Sequence, residues 1–437
     1  MCGIVAIYSN SQTNKNYVNI KNLLLKLQHR GKDGCGIGYY INKEMRINKG
    51  KGKVNQVFDN LYQNLTIKSC IGHVRYATSG ESMSQNVVKI NEVQPLSSNK
   101  GDFLLAHNGN IPSIKVHDSG YIINFLENQE GNFVQKLIKL MNTIPASYSI
   151  VILTNDNKIY ALRDRYGIRP LCVGYVNNNY YISSESSSFQ NKKKIRDVYP
   201  GEIIKIGKNG IESLYIHPEA QLSLCSFELI YFMNEYSVTD NYHVGNTRRK
   251  LGKILAQKET LKDKDYMVVG VPKTGICSAI SYALELNLEY KQVIKKNKLK
   301  DRTFIIIDNE TRIKECNEKF YYDKENIKDK KIIVVDDSIV RGNIIKAIII
   351  NLKLAGAKEI HVRIPAPPVI DICQLGIAIK TKEELIMHNK TEKEVCKEIN
   401  ADSLKYLSLD DLNFFPEKSY NECFGGGIDS KIVNYNT

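Results

Sequence analysis

The chain has 437 residues, 42% of them hydrophobic, and a formal charge of +14. This length and composition suggest two or three domains with an ample core and exclude a peptide that needs disulfide staples. The 10 cysteines are scattered singly, no apolar stretch approaches the roughly 20 residues of a membrane span, and the start lacks a signal sequence. We therefore expect a cytoplasmic protein with no membrane partner. The charge comes mainly from surface lysines and assigns no nucleic-acid partner.

The first predicted element begins "MCGIVAIY", with a cysteine directly behind the initiator methionine. One interpretation is a small cysteine that packs against apolar neighbours. In the other, an aminopeptidase removes Met1, so that Cys2 carries both a thiol and a free α-amino group. Such a residue contains a nucleophile and its own base, because an α-amino group with a pKa of about 7.7 to 8.0 is partly neutral at cellular pH.

Two patterns of apolar runs follow one another along the chain. Up to about residue 220, short apolar runs separated by turns predict strands in antiparallel sheets. From "CSFELIYFMNEYS" onward, apolar runs of strand length alternate with longer helical stretches, which is typical of a parallel sheet with crossover helices. The turn-prone "HPEAQ" separates the two patterns. The sequence thus predicts one domain over residues 1–222 and a second over residues 223–437.

The most specific local signal is "KIIVVDDSIVRGN" in the second half. A fully apolar strand ends in Asp336 and Asp337, and a short loop leads from there into an apolar helix. In parallel sheets, ligands bind beyond the carboxyl ends of strands, where the N-terminal amides of a helix face an anion. The two acids suit the vicinal hydroxyls of a sugar rather than a phosphate. A nucleotide P-loop is excluded because the glycine-lysine pair is missing.

This stretch resembles the phosphoribosylpyrophosphate signature of the type I phosphoribosyltransferases, in the version of the amidophosphoribosyltransferase family. The segments "MCGIVAI", "LQHRGKDGCGIG", "GHVRYATSG", "AHNGN", "LRDRYGIRPL" and "SSES" resemble the glutaminase domain of the same family, in the family's order. The resemblance implies a four-layer αββα N-terminal-nucleophile hydrolase domain followed by a parallel-sheet type I phosphoribosyltransferase domain. It also implies transfer of ammonia from glutamine to phosphoribosylpyrophosphate, the first committed step of de novo purine biosynthesis.

The resemblance assigns the glutamine site residue by residue. Cys2 matches the nucleophile, and Asn108 with the backbone of Gly109 matches the oxyanion hole. Arg75 matches the residue that clamps the α-carboxylate of glutamine, and Asp118 is the best match to the acceptor of its α-amino group. The segment before Asp118 is much shorter than usual in the family, and a glycine replaces the expected glutamate two residues later.

The resemblance also assigns the phosphoribosylpyrophosphate site. Asp336 and Asp337 would hold the ribose hydroxyls and, through the substrate, a magnesium ion that assists departure of pyrophosphate. The remaining matches are the 5-phosphate loop Ser338, Ile339, Val340, Arg341, Gly342 and Asn343, then Lys273 of the pyrophosphate loop "GVPKTG", and Lys296 and Arg302 of a mobile lid.

Several residues depart from the family's pattern. Asn343 and Ile344 stand where threonines are usual, and Lys273 replaces an acid. These departures motivate an alternative, a glutaminase-competent regulator with an impaired phosphoribosyltransferase site. A second alternative is a nucleic-acid-binding repressor. The sequence shows no helix-turn-helix pattern that would support it.

The cysteines raise the question of a metal cluster. Some family members bind a structural [4Fe–4S] cluster through four cysteines, and Cys225, Cys373 and Cys423 align with three of them, while Tyr420 occupies the fourth position. A cluster with a non-cysteine ligand and three free buried cysteines are both open interpretations. Family members are commonly tetramers, so the resemblance also implies a homo-oligomer.

Overall fold

The structure is a computed structural model, and it describes residues 1–58, 65–76, 89–112, 114, 117–176, 179–189, 194–297, 319–376, 379, 381–416, 419–427 and 432. Two antiparallel sheets come first in the chain, and a parallel sheet follows. This succession confirms the fold class expected from the two patterns of apolar runs.

The first sheet has seven strands, all paired antiparallel. In chain order they are β1 (Gly3–Thr13), β2 (Gly34–Ile41), β3 (Glu44–Lys51), β4 (Ile67–Arg75), β9 (Cys172–Val176), β10 (Asn179–Ser183) and β11 (Lys194–Asp197). The order across the sheet is β11-β9-β10-β1-β4-β2-β3. The strand that begins one residue after Cys2 is therefore central, with β4 and β10 on its two sides.

The second sheet has six antiparallel strands. They are β5 (Leu96–Ser97), β6 (Phe103–Asn110), β7 (Ser147–Thr154), β8 (Ile159–Arg163), β12 (Glu202–Gly207) and β13 (Gly210–Ile216). The order is β13-β12-β8-β7-β6-β5. Strand β6, which carries the "AHNGN" segment, lies next to β7 in this sheet.

Alternation of side chains along β1 explains how the layers stack. Ile4 and Ala6 face the second sheet and pack with Ala106 of β6, whereas Val5 packs on the other side against Leu24 of a helix. The helices of the outer layers are α1 (Lys15–Lys26) and α2 (Val54–Val57) on the first sheet, and α3 (Asp118–Asn128) and α4 (Phe133–Thr143) on the second. The result is the four-layer αββα arrangement.

The third sheet is wholly parallel, with five strands in the order β17-β16-β20-β21-β22. These strands are β16 (Tyr266–Gly270), β17 (Glu289–Tyr290), β20 (Lys331–Val335), β21 (Glu359–Ile364) and β22 (Ser403–Tyr406). Its main helices are α5 (Val244–Gln257), α6 (Ile276–Leu286), α8 (Asn343–Leu354) and α9 (Glu392–Glu398), and a short helix α7 (Lys324–Ile327) precedes β20. Residues 332–335 are fully buried, as expected of a central strand covered on both faces.

Besides short 3-10 helices, the described residues also contain two short hairpins and a helical turn. The hairpins are formed by β14 (Val238–Thr239) with β15 (Tyr242–His243) and by β18 (Ile294–Lys296) with β19 (Phe320–Tyr322), and the turn is a π-helix over Glu228–Phe232. Residues 217–224, between β13 and this turn, contain no helix or strand. The boundary at residue 222 stays a prediction. Within the described ranges, no helix is long and apolar enough to cross a membrane.

Candidate active sites

Cys2 lies where the two antiparallel sheets face each other, and only 8% of it is exposed. Its backbone N–H donates to Oδ1 of Asn108 over 3.1 Å, and its thiol donates to the carbonyl oxygen of Tyr76 over 3.5 Å. The first bond joins β6 to a residue 106 positions earlier in the chain. Once Met1 is removed, this N–H belongs to the α-amino group of Cys2, so Asn108 orients the predicted base.

Asn108 also offers an unused donor. Its Nδ2 is buried and has no hydrogen-bond partner among the described residues. The next residue, Gly109, packs so closely on β7 that a Cβ atom would lie 2.0 Å from the carbonyl oxygen of Ser147. Only glycine fits at position 109. The side-chain N–H of Asn108 is available to a ligand, as an oxyanion hole requires.

Arg75 ends strand β4 and forms an ion pair that the sequence did not reveal. Its Nη2 lies 2.6 Å from Oε2 of Glu92, and its Nη1 donates to the backbone oxygen of Glu92 over 3.0 Å. Both side chains are almost fully buried. Nε of Arg75 has no partner in the described part of the chain. Both Nη atoms of Arg75 therefore contact Glu92, and Nε remains available to a ligand.

Asp118 begins helix α3 and is buried. Its Oδ2 accepts a hydrogen bond from the N–H of Ile111 over 3.3 Å, whereas its Oδ1 is buried and without a partner among the described residues. Burial raises the pKa of this carboxyl to about 7, although Arg75 acts in the opposite direction. Asp118 is therefore close to its titration point at neutral pH.

Three histidines surround this site, and none was singled out from the sequence. Burial lowers the pKa of His107 to about 3 and of His117 to about 4, and that of His73 lies well below its usual value for the same reason. His117 Nε2 lies 3.4 Å from Nη1 of Arg75. These rings are neutral at cellular pH. The charges described beside the predicted glutamine pocket are therefore Asp118 and the ion pair of Arg75 with Glu92.

A buried charge network lies behind the nucleophile. Nε of Arg30 donates to the backbone oxygen of Cys2 over 2.9 Å, Nη1 lies 2.7 Å from Oε1 of Glu185, and Nη2 lies 2.8 Å from Oε1 of Glu228. The three charged side chains have no exposed area. The sequence contained a signal, since charged residues stood inside the motifs "LQHRG", "SSES" and "CSFELIYF", but spacing alone could not show that they meet.

In the second site, Asp336 and Asp337 directly follow the central strand β20. Oδ1 of Asp336 accepts from the N–H of Asp337 over 2.9 Å, and Oδ1 of Asp337 accepts from the hydroxyl of Ser338 over 2.5 Å. The hydroxyl of Thr274 donates to Oδ2 of Asp337 and so links the "GVPKTG" loop to the acid pair. Burial raises the pKa of both carboxyls, and for Asp336 the neighbouring Asp337 adds to the shift.

The "GVPKTG" loop follows strand β16, the neighbour of β20, so both loops lie at the carboxyl edge of the sheet. At Gly275 a Cβ atom would lie 2.5 Å from the carbonyl oxygen of Val335, so this close approach of the two loops requires glycine. Lys273 is exposed in the same loop. Lys296 ends β18, and Arg302 lies outside the described residues.

Two of the longer side chains in the loop after the acid pair are engaged within the protein. Ile339 is buried in the core, and Val340 accepts a backbone hydrogen bond from Ile386 over 2.9 Å. Nε of Arg341 lies 2.8 Å from Oε2 of Glu384, so its charge is paired within the protein. Helix α8 begins at Asn343. A phosphate here would rely on backbone N–H groups and on the side chains of Ser338 and Asn343.

The three candidate cluster ligands, Cys225, Cys373 and Cys423, are buried. The hydroxyl of Tyr420 lies 3.7 Å from the sulfur of Cys373 and donates to Glu422. Burial raises the pKa of Cys225 to about 12 and the pKa of Cys423 well above its usual value. The fourth position holds a phenol bonded to a carboxylate in place of a thiol, so these residues do not supply the ligands of a four-cysteine cluster.

The acid pair at the end of β20 does fit a hard cation. Two adjacent buried carboxyls with raised pKa values are stabilised as carboxylates by a divalent ion such as Mg²⁺. In the part of the chain that the structure describes, no group of three or more His, Cys, Asp or Glu side chains is arranged to hold a metal ion.

Comparison with known proteins assigns both halves of the chain to one family. The family model described as glutamine amidotransferase domain matches residues 82–191, and the model described as phosphoribosyl transferase domain matches residues 239–367. A curated amidophosphoribosyltransferase of Archaeoglobus fulgidus is 35% identical, over 94% of this chain and 93% of that protein.

Two solved structures are similar over nearly the whole length. A glutamine phosphoribosylpyrophosphate amidotransferase of B. subtilis, complexed with ADP and GMP, has a TM-score of 0.85 at 29% identity and covers 98% of this chain and 97% of its own. A structure described as the allosteric regulatory enzyme of purine biosynthesis has a TM-score of 0.87 at 31% identity, with 98% and 96% covered. The chain belongs to the amidophosphoribosyltransferase family.

Proposed function

We propose that this chain transfers ammonia from glutamine to phosphoribosylpyrophosphate, giving 5-phosphoribosylamine, glutamate and pyrophosphate, the first committed step of purine biosynthesis. The observation that carries the proposal is the arrangement at Cys2, whose backbone N–H is bonded to Asn108 while the amide nitrogen of Asn108 has no partner among the described residues. Family membership and the acid pair at the end of β20 support the second half of the reaction.

The glutamine half begins with Met1 removed. The α-amino group of Cys2 takes the thiol proton, and the sulfur attacks the side-chain amide of glutamine. The resulting oxyanion receives hydrogen bonds from Nδ2 of Asn108 and from the N–H of Gly109. Collapse of this intermediate passes a proton to the leaving nitrogen, releases ammonia and leaves a thioester, which water hydrolyses to glutamate.

The phosphoribosyl half uses the acid pair and the loop before α8. Asp336 and Asp337 accept hydrogen bonds from the ribose hydroxyls, and the loop amides with Asn343 hold the 5-phosphate. Lys273, Lys296 and Arg302 are positive charges for the pyrophosphate side. When bound, a magnesium ion neutralises charge on the departing pyrophosphate. Ammonia attacks the anomeric carbon, the carbon–oxygen bond to pyrophosphate breaks, and a proton leaves the new ammonium group.

A labelling experiment tests both halves together. Purified protein receives glutamine labelled at the amide nitrogen, phosphoribosylpyrophosphate and magnesium. Labelled phosphoribosylamine, trapped as it forms, with pyrophosphate in equal amount, is the expected result. Glutamate without pyrophosphate would contradict the proposal and favour the regulator with an impaired phosphoribosyltransferase site. Absence of glutamate would contradict the assignment of Cys2.

We further propose a cytoplasmic homo-oligomer that works without an iron–sulfur cluster, with no nucleic-acid or membrane partner. The position of the fourth cysteine is held by Tyr420, whose hydroxyl donates to Glu422. Iron and sulfide analysis of anaerobically purified protein tests the cluster, and sedimentation of the same sample tests the assembly.

A further inference from the structure

One carboxylate in the charge network behind Cys2 comes from the far side of the predicted domain boundary. Glu228 is the first residue of the helical turn Glu228–Phe232. Its Oε1 lies 2.8 Å from Nη2 of Arg30 and 3.4 Å from Nη1 of Arg169. Its side chain has no exposed area, and its Oε2 has no hydrogen-bond partner among the described residues. Glu228 therefore reaches into the glutaminase half without contact to solvent.

Arg30 connects this carboxylate to the nucleophile. The guanidinium is planar, and its three nitrogens contact Glu228, Glu185 and the backbone oxygen of Cys2. Because the plane is rigid, a change at one edge shifts the other two. The position of the Cys2 backbone thus depends on a residue more than 200 positions later in the chain.

The charges make this dependence strong. Arg30 and Arg169 are two fully buried cations, and Glu185 and Glu228 are the two fully buried carboxylates that contact them. Loss of Glu228 would leave two buried guanidiniums with the single carboxylate of Glu185, which bonds only Arg30 of the two. A buried charge without a partner is costly, so Arg30 would move toward Glu185 or admit water.

We propose that Glu228 is a positioning residue for the glutaminase site, which holds Arg30 and through it the backbone of Cys2. The thiol is then aligned for attack only while the second half of the chain is docked on the first. This inference rests on the proposed function, because it concerns the rate of attack on glutamine. It adds a residue of the phosphoribosyltransferase half to the glutaminase machinery.

The test compares Glu228→Ala and Glu228→Gln with Asp240→Asn as a matched control. Asp240 also lies beyond residue 222 and also pairs with a fully buried arginine of the first half, at 2.9 Å and 2.8 Å from Nη1 and Nη2 of Arg163. It does not bond Arg30 or Cys2. The control removes the charge from an ion pair of the same kind at the same boundary.

Five quantities are measured for each full-length variant: kcat and KM for glutamine hydrolysis, the alkylation rate of the Cys2 thiol by iodoacetamide, ammonia-dependent phosphoribosylamine formation, and the melting temperature. Glu228→Ala should lower kcat about 10- to 100-fold with little change in KM, because misplacement of a reacting group by about 1 Å has an effect of this size. Glu228→Gln keeps one oxygen that can accept a hydrogen bond from Arg30, so its kcat should fall less. Ammonia-dependent activity should persist in both variants, and Asp240→Asn should keep kcat within about twofold of the unsubstituted protein.

Three results would overturn the inference. One is an unchanged kcat and alkylation rate in Glu228→Ala. Another is an equal loss of kcat in Asp240→Asn, which would indicate general loosening of the boundary. The third result concerns the near-isosteric Glu228→Gln, which replaces Glu228→Ala in the test if the latter does not fold. An unchanged kcat in Glu228→Gln would then overturn the inference. Failure of the proposed function would look different, because the unsubstituted protein would then not hydrolyse glutamine, while the alkylation rates would still report the position of Cys2.

Discussion

The two sites of this protein are built in different ways. Around Cys2, buried side-chain atoms of Asn108, Arg75, Asp118 and His107 have no hydrogen-bond partner among the described residues. No oxygen of the acid pair Asp336 and Asp337 is both buried and unpartnered. The glutamine pocket is therefore an enclosed set of polar groups that a ligand completes. At the predicted phosphoribosyl site the acid pair is also buried, but neighbouring groups of the protein already donate hydrogen bonds to its carboxylates. The loop beside it carries the exposed side chain of Lys273.

Three of the departures from the family's pattern lie at the predicted phosphoribosyl site, where Lys273 and Ile344 are exposed and Asn343 is half-buried. Another, Gly120, lies beside Asp118 of the glutamine site. A site that relies on backbone N–H groups tolerates such replacements, because the main chain offers the same donors whatever side chain it carries. In the enclosed pocket a replacement would leave a buried polar group unpaired, which costs about 1 to 3 kcal/mol.

Removal of the nucleophile should separate the two sites most completely. In Cys2→Ala the thiol that forms the covalent intermediate is gone, so glutamine-dependent turnover should fall at least about 10⁴-fold. The acid pair and its loops are untouched, so phosphoribosylamine formation from high concentrations of ammonium salt should persist. Glutamate release and phosphoribosylamine formation are measured separately. An intact mass without Met1 is required of the unsubstituted protein first, since a retained methionine would imitate the loss.

Neutralising the acid pair should give the opposite result. In the double variant Asp336→Asn, Asp337→Asn, we expect phosphoribosylamine formation to fall about 10²- to 10³-fold with either nitrogen source, because the charged hydrogen bonds to the ribose and the cation site are lost. Basal glutamine hydrolysis should survive. Burial raises the pKa of both carboxyls, so their ionisation opposes folding above their usual pKa values. The melting temperature at pH 8 should therefore not fall, and a large drop would contradict this account.

The sequence predicted what is local and missed what depends on long-range contact. The order of sheets, the strand that ends in Asp336 and Asp337, and the strand of Asn108 follow from apolar periodicity and motif spacing. The ion pair of Arg75 with Glu92 and the contact of Arg30 with Glu228 do not, because they join segments that periodicity cannot bring together. A sequence motif shows that a charged residue stands at a position, whereas only the packed structure shows which oppositely charged residue it contacts.

A smaller effect should follow from restoring the threonines of the 5-phosphate loop. Ile344 is 37% exposed in the first turn of α8, and its side chain can offer no hydrogen bond. In Asn343→Thr, Ile344→Thr, one added charge-assisted hydrogen bond of about 1.5 kcal/mol would lower the KM for phosphoribosylpyrophosphate about 12-fold. Steady-state kinetics with saturating ammonia measure the change without the glutamine site. An unchanged or raised KM would show that this chain compensates elsewhere, with Lys273 as the nearest candidate.

The smallest predicted effect is a pH dependence of glutamine binding. The pKa of Asp118 is raised by burial to about 7, so its carboxyl is half neutral at that pH. Its ionised form is the acceptor proposed for the α-ammonium group of glutamine, which stays charged over this range. Between pH 6.5 and 7.5 the ionised fraction rises about threefold, and the affinity for glutamine should rise by the same factor. His107 and His117 do not interfere, because their pKa values of about 3 and about 4 keep both rings neutral here.

Calorimetry with the Cys2→Ala protein measures this binding directly, since no turnover occurs and the thiol cannot titrate. The control is Asp118→Asn in the same background, in which affinity should be lower and the threefold rise should be absent. The sign for folding is opposite: the native state holds the proton of Asp118 more tightly than the unfolded chain, so its contribution to stability falls as pH rises from about 4 to about 7. A rise of glutamine affinity that persists in Asp118→Asn would assign the titration to another group and remove Asp118 from the glutamine pocket.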